Sequence, residues 1–239
     1  MNHRALVVIP AFNEAETIRE VVVRAMRHAD VCVVDDASTD ETGEIVAGIP
    51  GAHTVRHERN THIATGILDG MRFAASRGYS RVVTMDAGLS HDPDEIPSLL
   101  APEDADVVLG VRTRVENVPV SRRILSRMGT LVVNRIAAGS VWRGVGLSDA
   151  TSGYRAYSDR ALECLLASPV RSRAFAFHLE ALSILHRAGM RIVEVPIEYR
   201  FTNSSLSGRV VREAISVGAQ LWKENVFGST PPGVGKGRR

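Results

Sequence analysis

The sequence of 239 residues contains only two cysteines, Cys32 and Cys164, and only two lysines, Lys223 and Lys236. Two thiols are too few for a disulfide framework, so we expect both to be free in a reducing compartment. Because lysine is nearly absent, any phosphate bound in the body of the chain must be held by arginine, histidine, backbone N–H groups or a metal ion.

The sequence also contains no long apolar run and no strong excess of basic residues. No run reaches the roughly 18 apolar residues of a membrane-spanning helix, and the first four residues lack the apolar stretch of a signal peptide. The last twelve residues carry three basic side chains and no acid, so the net charge of +2 becomes −1 without that tail. The composition therefore argues against a nucleic-acid partner. It predicts a cytoplasmic protein, at most peripheral on the inner face of the membrane.

Short apolar runs rich in β-branched residues alternate with helix-like patterns in the first half of the chain. The runs predict strands at residues 5–9, 31–34, 54–57, 81–85 and 107–110. Apolar residues at helical spacing predict helices at residues 14–28, from about residue 41, and at 65–76, the last ended by Gly78. This alternation predicts an α/β fold with a largely parallel sheet and flanking helices.

The second half of the chain is more helical. We predict helices at residues 121–138, 158–166 and 174–188, a strand at 191–195, and an amphipathic helix at 207–227. That last helix packs on its own core or, as an alternative, forms a membrane-surface or homodimer contact. The Gly/Pro-rich residues 228–239 are expected to be disordered.

Polar clusters follow four of the predicted strands, directly after Ile9, Val34, Met85 and Leu109. The carboxyl ends of parallel strands meet at the same edge of a sheet, and ligands of such folds bind beyond that edge. The four clusters therefore predict one site on a single rim of the sheet.

One of these clusters contains acids that suit a nucleotide. The carboxylates of Asp35 and Asp36 can accept hydrogen bonds from a nucleobase N–H or from ribose hydroxyls. The alternative role for this pair is a turn with a helix cap, and Ser38 or Thr39 is expected to cap the helix that follows.

Four segments stand in a defined order: Val8-Ile9-Pro10-Ala11-Phe12-Asn13-Glu14, Val33-Val34-Asp35-Asp36-Ala37-Ser38-Thr39-Asp40, Met85-Asp86-Ala87-Gly88-Leu89-Ser90-His91-Asp92-Pro93 and Thr151-Ser152-Gly153-Tyr154-Arg155. With Glu194-Val195-Pro196-Ile197, this ordered set resembles the polyprenyl-phosphate (dolichyl-phosphate) mannose synthase branch of family two glycosyltransferases. The resemblance covers about residues 5–225.

The resemblance implies a Rossmann-like, mostly parallel sheet of the GT-A type, with a helical C-terminal part. It implies one domain at residues 1–227, with a nucleotide-sugar half at 1–110 and an acceptor half at 111–227. The implied reaction is inverting transfer of a hexose from a nucleotide diphosphate sugar, GDP-mannose or a UDP-hexose, to a polyprenyl phosphate. Two alternatives stay open: the same donor chemistry on a soluble hydroxyl acceptor, and a non-catalytic nucleotide-binding module.

On the donor side, the resemblance implies that Pro10, Ala11, Asn13 and Glu14 line the nucleotide pocket together with Asp35 and Asp36. It also makes Asp86 the first acid of an Asp-x-Asp motif that holds Mg²⁺ or Mn²⁺ against the diphosphate.

The second acid of that motif is replaced by Gly88, which offers no side-chain ligand. Four alternatives follow: Asp86 binds the metal with diphosphate oxygens and water, Asp92 is recruited, arginines replace the ion, or catalysis is lost. His91 caps its loop or ligates the metal. His62 faces a phosphate or lies on the surface without a role.

On the acceptor side, the positions that match the mannose synthases are Arg112, Arg122, Arg123 and Ser126. Guanidinium groups and a helix N-terminus suit a lipid phosphate, and solvated arginines are the alternative. Arg200 is expected to close over the donor or acceptor phosphate.

A hydroxyl acceptor would need a base, whereas an ionised phosphate would not. The candidates for such a base are Asp149, His178 and Glu180.

Overall fold

The structure, a computed structural model, describes residues 4–116, 130, 134, 146–174 and 176–200, without the side chains of residues 114–116 and 200. The predicted helix at 207–227 and the tail at 228–239 lie outside the described residues. The predicted helix at 121–138 does too, apart from Thr130 and Asn134, which are both helical.

One sheet of seven strands forms the centre of the described part. The strands are β1 (Ala5–Ala11), β2 (Asp30–Asp35), β3 (His53–Arg56), β4 (Arg81–Thr84), β5 (Val107–Glu116), β6 (Arg155–Ser158) and β7 (Ile192–Arg200). Their order across the sheet is β3-β2-β1-β4-β6-β5-β7. The pairs β1–β2, β1–β4, β2–β3 and β5–β7 are parallel, and β6 runs antiparallel to both β4 and β5. The predicted mostly parallel α/β sheet is confirmed.

The described helices flank this sheet. They are α1 (Ile18–Ala25), α2 (Thr42–Ala47), α3 (His62–Ser76), α4 (Ile96–Leu100), α5 (Asp159–Ala167) and α6 (Ala176–Arg187). A 3₁₀ turn, Pro93–Glu95, leads into α4. None of these helices is long and apolar enough to cross a membrane.

Two hydrophobic cores lie on opposite faces of the sheet because successive strand residues point to opposite sides. Leu6 and Val8 of β1 pack on one face with residues of α3, α5 and α6. Val7 and Ile9 pack on the other face with residues of α1, α2 and α4. Alternate residues of this one buried strand therefore pack against both layers of helices.

Helix α3 approaches β1 so closely that only a glycine fits at the contact. A Cβ atom built on Gly70 would lie 2.2 Å from Cγ1 of Val8. Gly78, with a φ of 72°, follows the end of α3 as the sequence predicted.

Several predicted boundaries are wrong, and neither strand β6 nor helix α4 was predicted; strands β5 and β7 continue beyond their predicted ends to Glu116 and Arg200. Helix α1 begins at Ile18 rather than at residue 14, because the chain first makes a turn in which Glu14 O accepts N–H groups of Thr17 and Ile18. Helix α3 begins at His62, three residues earlier than predicted.

Candidate functional site

Loops from several strands converge on one edge of the sheet. Strands β1, β2 and β4 are parallel, so the loops that follow them leave at the same side. Strand β6 is antiparallel and pairs Arg155 with Thr84, which brings the preceding Ser152–Tyr154 segment to that side as well. There, Thr84 Oγ1 donates a hydrogen bond of 2.9 Å to Gly153 O. We call this edge the rim.

Asp35, at the end of β2, is fully buried within its own loop. Its Oδ1 accepts the N–H of Ser38 at 2.9 Å, and its Oδ2 accepts Nη1 of Arg56 at 2.6 Å. A Cβ atom on Gly43 would lie 2.7 Å from that Oδ2. The carboxylate thus fixes the turn after β2.

The carboxylate of Asp36 joins β2 to the start of α3. Its Oδ1 is 2.8 Å from Nδ1 of His57, from Thr61 N and from Thr61 Oγ1, and its Oδ2 accepts the N–H of His62 at 2.8 Å. Burial opposes ionisation of Asp36, but hydrogen bonds from His57, Thr61 and His62 outweigh it, and the pKa lies below its ordinary value. Asp36 therefore stays ionised and caps α3 from a distant part of the chain.

The β1 and β2 loops are hydrogen-bonded to each other across the rim. The N–H of Asn13 donates to Ser38 Oγ at 3.0 Å, and Asn13 Oδ1 accepts the N–H of Thr39 at 2.8 Å. The prediction that Ser38 or Thr39 caps α2 is wrong, because α2 follows Glu41 with no side-chain cap. Ser38 and Thr39 instead form the tertiary contact with Asn13.

Backbone strain is concentrated at this rim. Asn13, Ala37 and His62 have φ angles of 56°, 63° and 70°, which non-glycine residues rarely adopt. Asn13 and Ala37 lie in the loops after β1 and β2, and His62 is the first residue of α3, where its N–H binds Asp36. Such strain is typical of functional sites.

Glu14 and Asp86 form an acidic part of the rim. Thr17 Oγ1 donates to Ala87 O at 3.0 Å and so ties the β1 loop to the loop after β4. Burial, together with the negative charges of Asp86 and Asp40, raises the pKa of Glu14, although a hydrogen bond from Thr17 opposes this. The Asp86 side chain is 45 % exposed, so its carboxylate is open to a ligand.

His91 supports the loop that carries Asp86. Its Nδ1 accepts the Asp86 N–H at 3.2 Å, and its ring stacks on Tyr154 with centroids 4.8 Å apart. Burial lowers the pKa of His91, although the charge of Asp86 opposes this. A neutral ring with an accepting Nδ1 carries its proton on Nε2.

Asp92 is engaged elsewhere. It forms an ion pair with Arg24 and caps the 3₁₀ turn through the N–H of Asp94. Among the residues that the structure describes, no three His, Cys, Asp or Glu side chains are grouped as a metal site.

On the other side of the rim, Arg112 and Asp149 form a bidentate ion pair. The atoms Nε and Oδ2 are 2.5 Å apart, and Nη2 and Oδ1 are 2.8 Å apart. Nη2 also donates to Thr151 Oγ1 at 2.6 Å. Burial opposes ionisation of Asp149, but Arg112 outweighs it and holds the pKa of that carboxyl below its usual value.

Helix α6 contributes two of the predicted bases, and they face different partners. The Glu180 carboxylate accepts the N–H groups of Arg171 and Ser172 and, at 2.5 Å, the Ser172 hydroxyl. His178 instead faces Gly153: a Cβ atom there would lie 3.1 Å from His178 Nε2. Burial, then the charge of Arg155, lowers the pKa of His178 well below its ordinary value.

The remaining acceptor-side predictions are only partly within the described residues. Arg122, Arg123 and Ser126 lie outside them. Arg200 is the last residue of β7, and its side chain is not among those described.

The family model for glycosyl transferase family 2 matches residues 6–166. The chain belongs to that family. The undecaprenyl-phosphate mannosyltransferase of Micrococcus luteus is 35% identical over 89% of this chain and 91% of its own length. The polyprenol monophosphomannose synthase of Mycolicibacterium smegmatis is 33% identical over 89% of this chain and 84% of its own length. The family two glycosyltransferase predicted from the sequence, in its polyprenyl-phosphate mannose synthase branch, is thereby confirmed.

Solved structures share the fold at low sequence identity. Glucosyl-3-phosphoglycerate synthase from Mycobacterium tuberculosis, in complex with Mn²⁺, UDP-glucose and phosphoglyceric acid, aligns with a TM-score of 0.70 and 20% identity. That alignment covers 94% of this chain and 80% of the synthase. Mannosyl-3-phosphoglycerate synthase from Rubrobacter xylanophilus aligns with a TM-score of 0.66 and 17% identity, over 98% of this chain and 79% of its own. Both matches confirm the GT-A type fold of this family 2 enzyme.

Several supporting residues of this family 2 site were not predicted from the sequence. His57 and Thr61 hold Asp36, and Arg56 holds Asp35. Phe12 is exposed by 44 %, although it is a large apolar residue between two positions of the rim. Only Phe12 offered a signal, because an aromatic residue in a polar loop after a strand is a candidate for stacking on a base.

Proposed function

We propose that the enzyme transfers a hexose from a nucleotide diphosphate sugar to a polyprenyl phosphate, with inversion at the anomeric carbon. The observation that supports this proposal is that both carboxylates predicted as possible bases are already bound to other groups of the protein. Asp149 is paired with Arg112, and Glu180 accepts backbone N–H groups. A hydroxyl acceptor would need a base at the attacking oxygen, whereas a phosphate acceptor does not.

The nucleoside binds against the β1 and β2 loops in this proposal. Asp36 Oδ2 accepts one described hydrogen bond, from His62, and a carboxylate oxygen has two lone pairs. The second lone pair is available to a nucleobase N–H or a ribose hydroxyl. The exposed ring of Phe12 lies beside Pro10, Ala11, Asn13 and Glu14, where a base can stack on it.

Asp86 is the residue that would hold Mg²⁺ or Mn²⁺ beside the diphosphate. Its exposed carboxylate, with the acid Glu14 nearby, fits a cation at this part of the rim. A divalent ion there supplies charge compensation for the leaving nucleoside diphosphate. The residues themselves orient the donor, and His91 supports the loop by accepting the backbone N–H of Asp86.

The acceptor phosphate attacks the anomeric carbon on the face opposite the departing diphosphate. Its second pKa is about 6, so it is largely a dianion near pH 7 and is already a nucleophile. Arg112, Arg122, Arg123, Ser126 and Arg200 are the residues we assign to this phosphate. Since a polyprenyl phosphate resides in the bilayer, the enzyme works peripherally at a membrane surface, on the cytoplasmic side.

The test is a comparison of two lipids that differ by one phosphate. GDP-mannose and a panel of UDP-hexoses are each incubated with undecaprenyl phosphate or undecaprenol, with and without Mg²⁺ or Mn²⁺. We expect product only from the phosphate, with an inverted anomeric configuration by NMR. Product from the free alcohol or from a soluble sugar hydroxyl would favour the hydroxyl-acceptor alternative. Nucleotide binding without transfer from any donor would favour the non-catalytic module.

A further inference from the structure

The two acids at the end of β2 are each paired with a base at the end of β3. Arg56 Nη1 is 2.6 Å from Asp35 Oδ2, and His57 Nδ1 is 2.8 Å from Asp36 Oδ1. The backbone N–H of His57 also donates to Asp35 O at 2.9 Å, which fixes the start of the segment that follows β3. Arginine stays protonated in proteins, whereas histidine is the side chain that gains or loses a proton near physiological pH. The Asp36 pair is therefore the one whose charge can change.

The other nitrogen of the His57 ring reaches a second carboxylate. Nε2 is 3.0 Å from Oδ2 of Asp69, a residue in the middle of α3, and Asp69 Oδ1 accepts Nη1 of Arg72 at 2.5 Å. The ring is only 11 % exposed, so water has little access to it. Ionised carboxylate oxygens only accept hydrogen bonds, and a neutral imidazole has a single N–H. The ring donates at both ends only when both of its nitrogens carry a proton.

This bridge determines which oxygen of Asp36 remains available. Oδ1 has three partners at 2.8 Å, which are His57 Nδ1, Thr61 N and Thr61 Oγ1. Among the described residues, Oδ2 accepts only the N–H of His62. The inference that follows rests on the proposed function, in which Oδ2 accepts a hydrogen bond from the nucleoside of the donor.

No neighbouring group replaces a proton that the ring loses. The groups that face the ring are the carboxylates of Asp36 and Asp69 and the hydroxyl of Thr61, whose Oγ1 is 2.9 Å from His57 Nδ1. The charged residues beyond them are already paired or exposed: Arg56, Arg72, Glu58 and Arg59. A neutral ring would turn one nitrogen lone pair towards a carboxylate oxygen, and two acceptors at hydrogen-bond distance repel each other.

We propose that His57 is a positioning residue of the donor site. Its doubly protonated ring joins Asp36 to Asp69, holds Oδ1 against α3 and so presents Oδ2 to the nucleoside. The ring itself does not contact the donor. The affinity for the nucleotide sugar therefore depends on the number of protons on His57.

The direct test uses the unaltered enzyme labelled with ¹⁵N in histidine only. NMR reports the protonation of the ring nitrogens between pH 5.5 and 8.5, and calorimetry gives the affinities for UDP-glucose and GDP-mannose in the same buffers. We expect the affinity for the donor that binds to fall at the pH at which the His57 ring loses a proton. An affinity that does not respond to this loss would overturn the proposal. So would a ring with only one proton at the pH of tightest binding.

Substitutions separate the two ends of the bridge. The amide nitrogen of asparagine reaches about as far as Nδ1 of histidine and that of glutamine about as far as Nε2, so each variant keeps a donor for one carboxylate only. His57→Gln loses the contact with Asp36 and should weaken donor binding roughly 10-fold, the scale of a lost hydrogen bond to a charged group. His57→Asn loses the contact with Asp69 and should weaken binding by a smaller factor. Wild-type affinity in folded His57→Gln would overturn the proposal.

Steady-state kinetics distinguish positioning from catalysis and from loss of structure. In His57→Gln the KM for the donor should rise with its dissociation constant, while kcat at saturating donor stays within about 2-fold, because uniform binding is lost. A lowered kcat with an unchanged KM would reject the positioning role. His53→Gln is the matched control, since His53 is a half-buried histidine of β3 that packs on Phe73 instead. It should bind the donor as the wild type does.

Asp69→Asn tests the need for two protons. An asparagine at this position can accept from a protonated Nε2 or donate to an unprotonated one, so the neutral ring can also form the bridge. This variant should bind the donor at low pH as the wild type does and should lose the fall in affinity at higher pH. A pH dependence identical to that of the wild type would contradict the proposal.

The outcomes also separate this inference from the proposed function. Donor binding that depends on His57, without sugar transfer to undecaprenyl phosphate, would retain the positioning role and reject the proposed function. Transfer to that lipid with donor affinities unaffected by His57→Gln would do the reverse.

Discussion

Arg112 and Asp149 hold each other through two short contacts, Nε to Oδ2 at 2.5 Å and Nη2 to Oδ1 at 2.8 Å. Two roles predicted from the sequence, a phosphate-binding arginine and a catalytic base, therefore meet in one ion pair. A carboxylate that is held ionised by a guanidinium is a weak proton acceptor. In the proposed function Arg112 belongs to the acceptor-phosphate site, and no proton transfer to Asp149 is required.

Asp149→Asn should lower the stability of the folded state. The substitution removes the carboxylate charge that pairs with the largely buried Arg112 guanidinium, and breaking a buried pair in this way costs about 3 to 5 kcal/mol. Urea unfolding at pH 7 measures the loss. The control is Asp104→Asn, since the pair of Asp104 with Arg191 is exposed and should contribute less than about 1 kcal/mol. Equal effects of the two substitutions would contradict this account.

Acid should destabilise the protein through Asp36. The folded-state pKa of this carboxyl lies below its unfolded value of about 3.9, so its contribution is present above pH 4 and is lost as the pH falls through the folded pKa. Asp36→Asn should therefore be less stable than the wild type at pH 7, and the difference should shrink below pH 4. Unfolding curves at pH 7, 5, 4 and 3 give this comparison. A difference that stays constant down to pH 3 would show that the charge of Asp36 is not the cause.

The rim could be predicted from the sequence because the strands that carry it are short, apolar and β-branched. Strand β6 could not, since Arg155-Ala156-Tyr157-Ser158 has no such pattern, and its buried arginine is satisfied by carbonyl groups from Ser152, His178 and Ala150. The hydrogen-bond partners of Asp36 could not be predicted from the sequence either. His57 and Thr61 are 21 and 25 residues away in the chain, and local capping patterns do not reveal such contacts.

Gly70→Ala should destabilise the protein although alanine favours helices. The new Cβ atom would lie 2.2 Å from Cγ1 of Val8, and overpacking of this kind costs about 1 to 3 kcal/mol. Gly48→Ala is the control, because its nearest neighbours would be 3.5 Å away. Thermal unfolding compares the two. If Val8→Ala relieves the Gly70→Ala variant, the contact is the cause, and no relief would point to another source of strain.

Phe12→Ala should weaken nucleotide binding and leave folding almost unchanged. The ring is 44 % exposed, and surface substitutions usually alter stability by less than about 0.5 kcal/mol. Stacking of a base on an aromatic ring contributes about 1 to 3 kcal/mol, which corresponds to a loss of roughly 5- to 150-fold in affinity for GDP or UDP. Val23→Ala is matched in exposure at 44 % but lies on α1, away from the β1 loop, and should bind nucleotide as the wild type does. Calorimetric titration of both variants decides the matter, because equal affinities would mean that Phe12 does not contact the base.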